Sequence, residues 1–148
     1  MSDMKAKVVI IGGGCVGTST AYHLCKAGIT NVLIVEKDTL AAGASGRCAG
    51  GIRQQWSTPG NIRLAAHSVA AFTRFEEEVG QDMEFVQAGY LLPAYTREMI
   101  DDFTANIELQ NTYDVPSRLI DVKEIQSRAP VVNVEGMKAA AFCPTDGK

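Results

Sequence analysis

Three glycines and one glutamate are the residues of this sequence whose types and spacing could do chemistry. Gly12, Gly14 and Gly17 form a G-x-G-x-x-G pattern, and Glu36 follows nineteen residues after Gly17. Glycines with this spacing allow a tight turn, a close approach of the backbone to a pyrophosphate, and close packing of the following helix. A carboxylate at the distance of Glu36 accepts hydrogen bonds from a ribose 2′-hydroxyl and repels a 2′-phosphate. The pattern therefore predicts a site for an adenine dinucleotide other than NADP.

A strand, a helix and a second strand must position these residues. The β-branched run 8–11 before the glycines predicts a buried parallel strand, and the apolar run 32–35 predicts a second strand that ends at Glu36. Gly28 is placed as a helix stop. The helix face that packs on the strands is predicted to carry Val16, Thr20, Leu24 and Ala27. Together these elements predict a Rossmann-like βαβ unit of the α/β class.

The rest of the chain predicts a long connection and then a region of different texture. Residues 37–60 are rich in Gly, Ala and Ser, and we interpret a connection of this length as ordered around a ligand. The following elements are predicted as a helix from Thr58 and Pro59 to Gly80, strands at 84–87 and 89–94, a helix at 96–113, a strand at 117–120, a helix capped by Asp121 and Glu124 that ends before Pro130, and a strand at 137–142. The change near residue 82 predicts a boundary between domains 1–82 and 83–148.

Composition excludes several classes of protein. A net charge of −3 over 148 residues, without a long Lys/Arg run, gives no reason to expect a nucleic-acid partner. The first residues lead into only four strongly apolar residues before glycine, too few for a signal peptide or a membrane span, so a cytoplasmic location is the expectation. The four cysteines form no C-x-x-C pair and only two histidines accompany them, so we predict neither a metal site nor a disulfide framework.

Four stretches together resemble one family, the FAD-dependent amine and amino-acid oxidoreductases of the D-amino-acid oxidase type. They are residues 10–28 with the glycine pattern, 35–46 with Val35-Glu36-Lys37 and Gly43-Ala44-Ser45-Gly46, 46–53, and finally 87–91 with the terminal 144–147. Sarcosine oxidase β-subunits, glycine oxidases and amino-acid dehydrogenases are the most similar members. The resemblance implies a Rossmann-like FAD/NAD(P)-binding fold followed by the start of an α+β substrate domain. Members of this family are more than twice as long, so the chain is expected to be an N-terminal portion and inactive alone.

The resemblance also implies roles for particular residues. FAD is the expected cofactor, and the whole protein would oxidise the C–N bond of an amino acid or N-methyl amino acid by hydride transfer to the flavin. The small-molecule substrate would be of the sarcosine, glycine, proline or D-amino-acid type, and the implied partners are other subunits of a hetero-oligomeric oxidase or dehydrogenase. Arg53 stands where related oxidases place the arginine that pairs with the substrate carboxylate. The implied cofactor-binding residues are Gly12, Gly14, Cys15, Val16, Gly17, Glu36, Lys37, Ala44, Ser45, Gly46, Arg47, Ala49, Gly50 and Gly51.

Alternatives to these assignments remain open at the level of sequence. Arg47 is either a flavin contact or a solvated surface arginine, and Arg53 either binds substrate or forms a structural ion pair. Cys48 lies near the expected flavin, where simple packing competes with a redox role. Because Glu36 alone does not separate NAD from FAD, an NAD-dependent dehydrogenase is one rival. A non-catalytic subunit that binds a nucleotide, or none, is the other.

Overall fold

Two parallel strands joined by a helix form the first part of the chain. In the computed structural model, which describes residues 5–148, β1 (Val8–Ile11) pairs with β2 (Val32–Val35), and α1 (Cys15–Lys26) connects them. The register joins Ile11 to Val35, directly before Glu36. Gly28 has a φ of 89° just past α1, as expected of a helix stop. The predicted βαβ unit is confirmed.

The faces of this unit differ from the prediction. Val9 and Ile11 are 54% and 90% exposed. The prediction of a buried strand is therefore wrong for this chain, because within residues 5–148 the sheet has two strands and one helix, and its second face stays open. The helix face was also misplaced, since Val16 is exposed and Gly17 lies beside β1. The less exposed positions of α1 are Gly17, Thr18, Ala21 and Leu24.

The glycine-rich connection contains a short helix that the sequence did not predict, α2 (Ala44–Arg47). Ala41 has a positive φ of 63°, and its carbonyl accepts a hydrogen bond from the Gly46 N–H at 2.8 Å. The division of the chain into two compact units falls soon after α2, at Ala49 and Gly50.

The second unit begins with two helices where the sequence predicts one. The chain forms α3 (Pro59–Phe72) and α4 (Phe75–Val79), with Thr58 and Gly80 as the outer caps. The single-helix prediction is wrong because Arg74 has φ −112° and ψ 11°, which interrupts the helix between Phe72 and Phe75. The predicted start at Pro59 and the left-handed stop at Gly80 are confirmed.

A three-stranded antiparallel sheet follows, with a helix after each of its first two strands. The elements are β3 (Tyr90–Ala94), α5 (Arg97–Asn111), β4 (Arg118–Ile120), α6 (Val122–Arg128) and β5 (Ala139–Cys143), and the strand order is β3-β5-β4. Asp121 caps α6 by accepting the Glu124 N–H at 2.8 Å. The strand predicted at 84–87 is wrong, since positive φ angles at Glu84 and Gly89 interrupt extended pairing there.

The core of the second unit surrounds β5. All five residues of this central strand are buried. Phe142 packs with Ile120 and Ile125, and Cys143 packs with Ile62 and Val115. Residues of β5 therefore take part in the packing of both α6 and α3. The segment that contains Asp146 follows directly after this buried strand.

Candidate functional site

The glycine turn of the first unit is shaped by backbone geometry that only glycine tolerates. Gly12 has a φ of 103°, and its N–H donates to the Val35 carbonyl at 2.8 Å, which ties the turn to the end of β2. A Cβ on Gly17 would overlap with the carbonyl oxygen of Gly12. The two glycines thus allow the start of α1 to approach the turn closely, as the sequence pattern predicts.

Glu36 is fixed to this turn through its carboxylate. Oε2 accepts the Gly13 N–H at 2.7 Å, and Oε1 accepts the Asp38 N–H at 3.1 Å. These hydrogen bonds, the one from Gly13 first, hold the pKa of Glu36 below its ordinary value. Each carboxylate oxygen keeps a further lone pair, so an ionised Glu36 can still accept hydrogen bonds from two ribose hydroxyls.

The connection after Glu36 folds back onto the same turn. The Ser45 hydroxyl accepts the Cys15 N–H at 2.9 Å, at the first residue of α1, and the Ala41 N–H donates to the Gly13 carbonyl at 3.0 Å. The structure therefore brings Ser45 and α2 to the helix N-terminus, where backbone N–H groups favour an anion. Exposed at the surface of this unit lie Val16, Lys37, Ala44, Gly46, Arg47, Cys48 and Ala49.

Gly50, Gly51 and Arg53 belong to the second unit. The segment is anchored at Ile52, which exchanges two backbone hydrogen bonds with Gly147 at 2.8 and 3.0 Å. The Arg53 guanidinium carbon lies 4.4 Å from the centre of the Trp56 ring, and the indole N–H donates to the Arg53 carbonyl at 3.1 Å. This cation–π contact and hydrogen bond hold the arginine and the indole as one group.

A buried carboxylate in the terminal stretch 144–147, which carries part of the resemblance but was given no role, supports this segment. Asp146 is 0% exposed, and its Oδ1 accepts both the backbone N–H of Gln54 at 2.9 Å and the side-chain amide of Gln54 at 3.0 Å. Its Oδ2 accepts the amide of Gln55 at 3.2 Å. The partners lie more than ninety residues apart in the chain, so their only sequence signal was the polar Thr145-Asp146-Gly147 directly after an apolar strand.

Beside Arg53 the second unit contains a cavity of about 280 Å³. Gln55, Trp56 and Gln110 line it together with Arg53, and Leu92, Phe103, Ile107 and Ala141 supply apolar walls. Gln55 and Gln110 are 5% and 3% exposed, and the Oε1 atom of each is buried without a hydrogen-bond partner. Ser57 and Asn106 complete the lining, so the cavity combines apolar walls with several polar side chains, as small-molecule sites do.

A comparison with protein-family models matches residues 7–148 to the family described as "DAO: FAD dependent oxidoreductase". The chain belongs to this family. The resemblance predicted from the residues is thereby confirmed, and FAD is the cofactor of the family.

Individual proteins similar to the chain agree with this assignment. Rat (Rattus norvegicus) mitochondrial dimethylglycine dehydrogenase is 37% identical over 145 residues, a match that covers 97% of this chain and 17% of that protein. Human (Homo sapiens) mitochondrial sarcosine dehydrogenase is 32% identical over 143 residues, covering 96% and 16%. The crystal structure of L-proline dehydrogenase from P. horikoshii superimposes with a TM-score of 0.90 at 39% identity, covering 97% of this chain and 38% of that one. The chain thus spans about one sixth of the length of the rat and human relatives.

The first unit fits the adenosine and pyrophosphate part of FAD. The turn leaves no room for a side chain at Gly17, and a Cβ at Gly14 would lie only 3.0 Å from the Ser45 hydroxyl. The carboxylate of Glu36 is present as an acceptor. Among residues 5–148, no cluster of three His, Cys, Asp or Glu side chains could hold a metal ion, and no helix combines the length and hydropathy needed to cross a membrane.

Proposed function

We propose that the whole protein oxidises the C–N bond of an amino acid or N-methyl amino acid, with FAD as the electron acceptor. The observation that carries the proposal is the anchored Glu36 beside a side-chain-free glycine turn, in a chain whose family is FAD-dependent. The named relatives act on dimethylglycine, sarcosine and L-proline, all small amino acids substituted on nitrogen. When bound, FAD would accept the hydride equivalent released from the C–H bond next to nitrogen, as the C–N bond becomes a C=N bond.

The residues of the first unit would hold the adenosine end of the cofactor. Glu36 would accept the ribose hydroxyls, and the backbone at Gly12, Gly14 and Gly17 would lie against the pyrophosphate. Ser45 holds the Cys15 N–H at 2.9 Å, so it is placed to exchange that hydrogen bond for one with a phosphate oxygen. The further contacts proposed to FAD come from Val16, Lys37, Ala44, Gly46, Arg47, Ala49, Gly50 and Gly51.

Arg53 is proposed to bind the substrate carboxylate. A guanidinium offers two parallel N–H donors that match a carboxylate, and the stacking on Trp56 restricts the orientation of that fork. Arg53 also lines the cavity of about 280 Å³, which suits a ligand smaller than most cofactors. The proposed role of Arg53 is to orient the substrate, and Arg53 is not proposed to transfer a proton.

The proposed domain organisation has an FAD-binding part at 1–82 and the start of a substrate domain at 83–148. The strongest support is the change from a parallel βαβ unit to an antiparallel sheet, whose first strand, β3, begins at Tyr90. The compact unit that begins at Gly50 includes α3 and α4 together with this sheet. Limited proteolysis of the FAD-loaded protein tests the proposal, because cleavage near residue 82 is expected before cleavage near residue 49.

The compartment and the partners also belong to this proposal. A cytoplasmic location is expected from the sequence, whereas the rat and human relatives named above are mitochondrial. Further subunits of an oxidase or dehydrogenase complex are proposed by analogy with the sarcosine oxidase type. Cell fractionation and affinity purification of the tagged protein test the two statements separately.

The decisive experiment for the function is an absorption spectrum of the protein at its natural length. We expect flavin bands that survive desalting and that bleach when a small amino acid is added without oxygen. Glu36→Gln should weaken FAD binding about tenfold, because a hydrogen-bonded charge is lost, whereas Glu108→Gln, at an exposed glutamate of α5, should not. Absence of flavin after reconstitution, or bands that no amino acid bleaches, would contradict the proposal.

A further inference from the structure

Asp146 is a fully buried carboxylate that the proposed reaction does not use. Its side chain accepts three hydrogen bonds, two from Gln54 and one from Gln55, and all three donors are neutral amides. Burial of a carboxylate costs free energy unless its oxygens are hydrogen-bonded. The role of Asp146 therefore lies in the segment that supplies these donors.

The three donors require a carboxylate rather than an amide. Oδ1 accepts the backbone N–H and the side-chain amide of Gln54, at 2.9 and 3.0 Å, and Oδ2 accepts the side-chain amide of Gln55 at 3.2 Å. An asparagine has one acceptor oxygen and one NH₂ group. Its nitrogen would face an N–H donor in either orientation, so only a carboxylate satisfies both glutamines.

Asp146 is itself held by its backbone and by that of the next residue. Its carbonyl accepts the Gly89 N–H at 2.9 Å, and Gly147 exchanges two backbone hydrogen bonds with Ile52 at 2.8 and 3.0 Å. A Cβ on Gly147 would overlap with the Val86 carbonyl, so the two backbones lie in direct contact. The carboxylate is therefore presented from a fixed support.

The segment beside Asp146 has no regular secondary structure of its own. After the single bridge at Ile52, residues 53–58 belong to no helix or strand. The hydrogen bonds of a helix or a sheet therefore do not fix the direction of Arg53. The bridge at Ile52 fixes the backbone before Arg53, and the bond from the Gln54 N–H to Asp146 fixes the backbone after it.

A short series of contacts connects Asp146 to Arg53. Asp146 accepts the Gln54 N–H, and the Gln54 carbonyl accepts the Trp56 N–H at 2.8 Å. The Trp56 indole N–H donates to the Arg53 carbonyl at 3.1 Å, and the Arg53 guanidinium carbon lies 4.4 Å from the centre of the indole. The position of the indole, and with it that of the guanidinium, therefore depends on the bond between Asp146 and Gln54.

We propose that Asp146 is a positioning residue for Arg53. It fixes the segment 52–56 so that the guanidinium stays stacked on Trp56 and its parallel N–H donors keep one direction. The proposal deepens the function proposed above and rests on it for the role of Arg53 toward the substrate carboxylate. Asp146 acts through this segment alone, because a side chain that is 0% exposed reaches no ligand.

The expected effect of Asp146→Asn is a loss of preorganisation. One buried donor left without an acceptor corresponds to about tenfold in the equilibrium between the held segment and a displaced one. A ligand that requires the held segment then binds more weakly by up to that factor. The KM for a substrate carboxylate should therefore rise up to about tenfold, whereas kcat should change by less than about threefold.

Steady-state kinetics on the FAD-loaded protein at its natural length measure this split between KM and kcat. Sarcosine and L-proline are the substrates tested, and the FAD content of Asp146→Asn should equal that of the wild type. A lower kcat at unchanged KM, or a loss of FAD, would overturn the proposal.

A destabilising substitution elsewhere in the second unit is the matched control. Ile125 is buried in the packing of α6 on the sheet, so Ile125→Ala should lower the urea midpoint while KM stays at the wild-type value. An equal rise of KM in Ile125→Ala would mean that any loss of stability has this effect, and the proposal would fail.

Trp56 provides a test that needs no turnover. It is the single tryptophan among the 148 residues, and its ring carries the guanidinium. Arg53→Ala should change the tryptophan emission, and the difference between the two spectra removes the emission of any other indole of the protein at its natural length. In an Asp146→Asn background the same substitution should change the emission by less than about half as much, since the stack is already loosened. Equal changes in both backgrounds would contradict the proposal.

A milder variant keeps the test available if Asp146→Asn does not fold. Gln54→Met removes the side-chain donor at 3.0 Å and leaves the backbone N–H of residue 54 on Asp146. It should give the same pattern to a smaller extent, with a raised KM and a reduced effect of Arg53→Ala on the emission. Wild-type values of both would count against the role of Asp146.

Two outcomes distinguish this proposal from the proposed function. An effect of Asp146→Asn on the Arg53-dependent emission, in a protein that oxidises no amino acid, would support the positioning role and overturn the oxidoreductase function. Oxidation of an amino acid by a protein in which the two substitutions act independently would support the function and overturn the role of Asp146.

Discussion

The carboxylate of Glu36 stabilises the glycine turn and still has acceptor capacity for a ligand. It closes the glycine turn by accepting the Gly13 N–H, and it keeps further acceptor capacity for a ligand. The sequence pattern predicted ligand binding alone. The hydrogen bond from the Gly13 N–H could not be predicted from the spacing between the glycines and Glu36, because any ribose-binding carboxylate at this distance gives the same pattern.

Gly17 is the residue of the turn whose substitution has the clearest expected outcome. A Cβ there would overlap with the Gly12 carbonyl, which is backbone and cannot rotate away. We predict that Gly17→Ala lowers the free energy of unfolding by about 1–3 kcal/mol, as overpacking does, although alanine is the better helix former by about 1 kcal/mol. Urea unfolding followed by circular dichroism measures the change.

The control for this prediction is another glycine in the first turn of a helix. Gly60 lies near the start of α3, and a Cβ there would meet nothing within 4 Å. Gly60→Ala should therefore leave stability unchanged or raise it, by at most about 1 kcal/mol. If Gly17→Ala is as stable as the wild type, the close approach of α1 to the glycine turn does not depend on glycine.

At the scale of elements, α6 is held to the sheet by a charged cluster above an aromatic ring. Glu124 accepts hydrogen bonds from Arg118, one of them at 2.8 Å, and from Arg128 at 2.7 Å. Both guanidinium groups also lie over the Phe142 ring, at 5.6 and 4.5 Å from its centre. One carboxylate therefore pairs with both guanidinium groups that contact the Phe142 ring.

This cluster makes stability depend on acidity. The hydrogen bonds from Arg118 and then Arg128 lower the pKa of Glu124 from 4.5 to about 2. Above pH 4.5 the glutamate is ionised in both the folded and the unfolded chain, so its stabilising contribution is complete. Between pH 4.5 and pH 2 the unfolded chain binds the proton first, so the contribution is lost as the pH falls.

We therefore predict that Glu124→Gln destabilises the chain more at pH 6 than at pH 3. The urea midpoints of wild type and variant, measured at both pH values, give the two differences. Glu108→Gln at an exposed position of α5 serves as control and should change neither midpoint beyond the effect of a surface substitution. An equal loss at pH 6 and pH 3 would mean that the contribution of Glu124 is packing rather than charge.

Local signals explain which elements could be predicted from the sequence. The βαβ unit, the start of α3 at Pro59 and the cap of α6 at Asp121 each depend on residues within a few positions, and all were predicted correctly. The break between α3 and α4 depends on the backbone angles of Arg74, which its residue type does not specify. Likewise, α2 arises from bonds within a connection whose composition indicated only a loop.

The candidate site divides in the same way. The glycines and Glu36 form a pattern within one stretch of chain, so their role in the turn was predictable. The amides of Gln54 and Gln55 meet Asp146 across more than ninety residues, and Gln110 reaches Trp56 across 54. No periodicity connects such positions, and the cavity that they support could be found only in three dimensions.

At the scale of the whole molecule, the first unit leaves an apolar face of its two-stranded sheet exposed to solvent. Val9 and Ile11 lie on this face of β1, and Val35 is the partner of Ile11 on β2. Ile11 is 90% exposed, and within the described part of the chain neither strand has a second neighbour. An apolar face beside unpaired strand edges favours self-association.

We predict that the 148-residue chain self-associates and that Ile11→Thr reduces this association without loss of stability. Threonine keeps the β-branched shape that suits a strand, and a side chain that is 90% exposed contributes little to the core. Val131→Thr is the control, since Val131 is 96% exposed but lies in a loop with no strand edge. Sedimentation velocity at several concentrations should show a larger monomer fraction for Ile11→Thr alone; an equal shift in both variants would assign the association to exposed apolar surface in general rather than to the open face of β1 and β2.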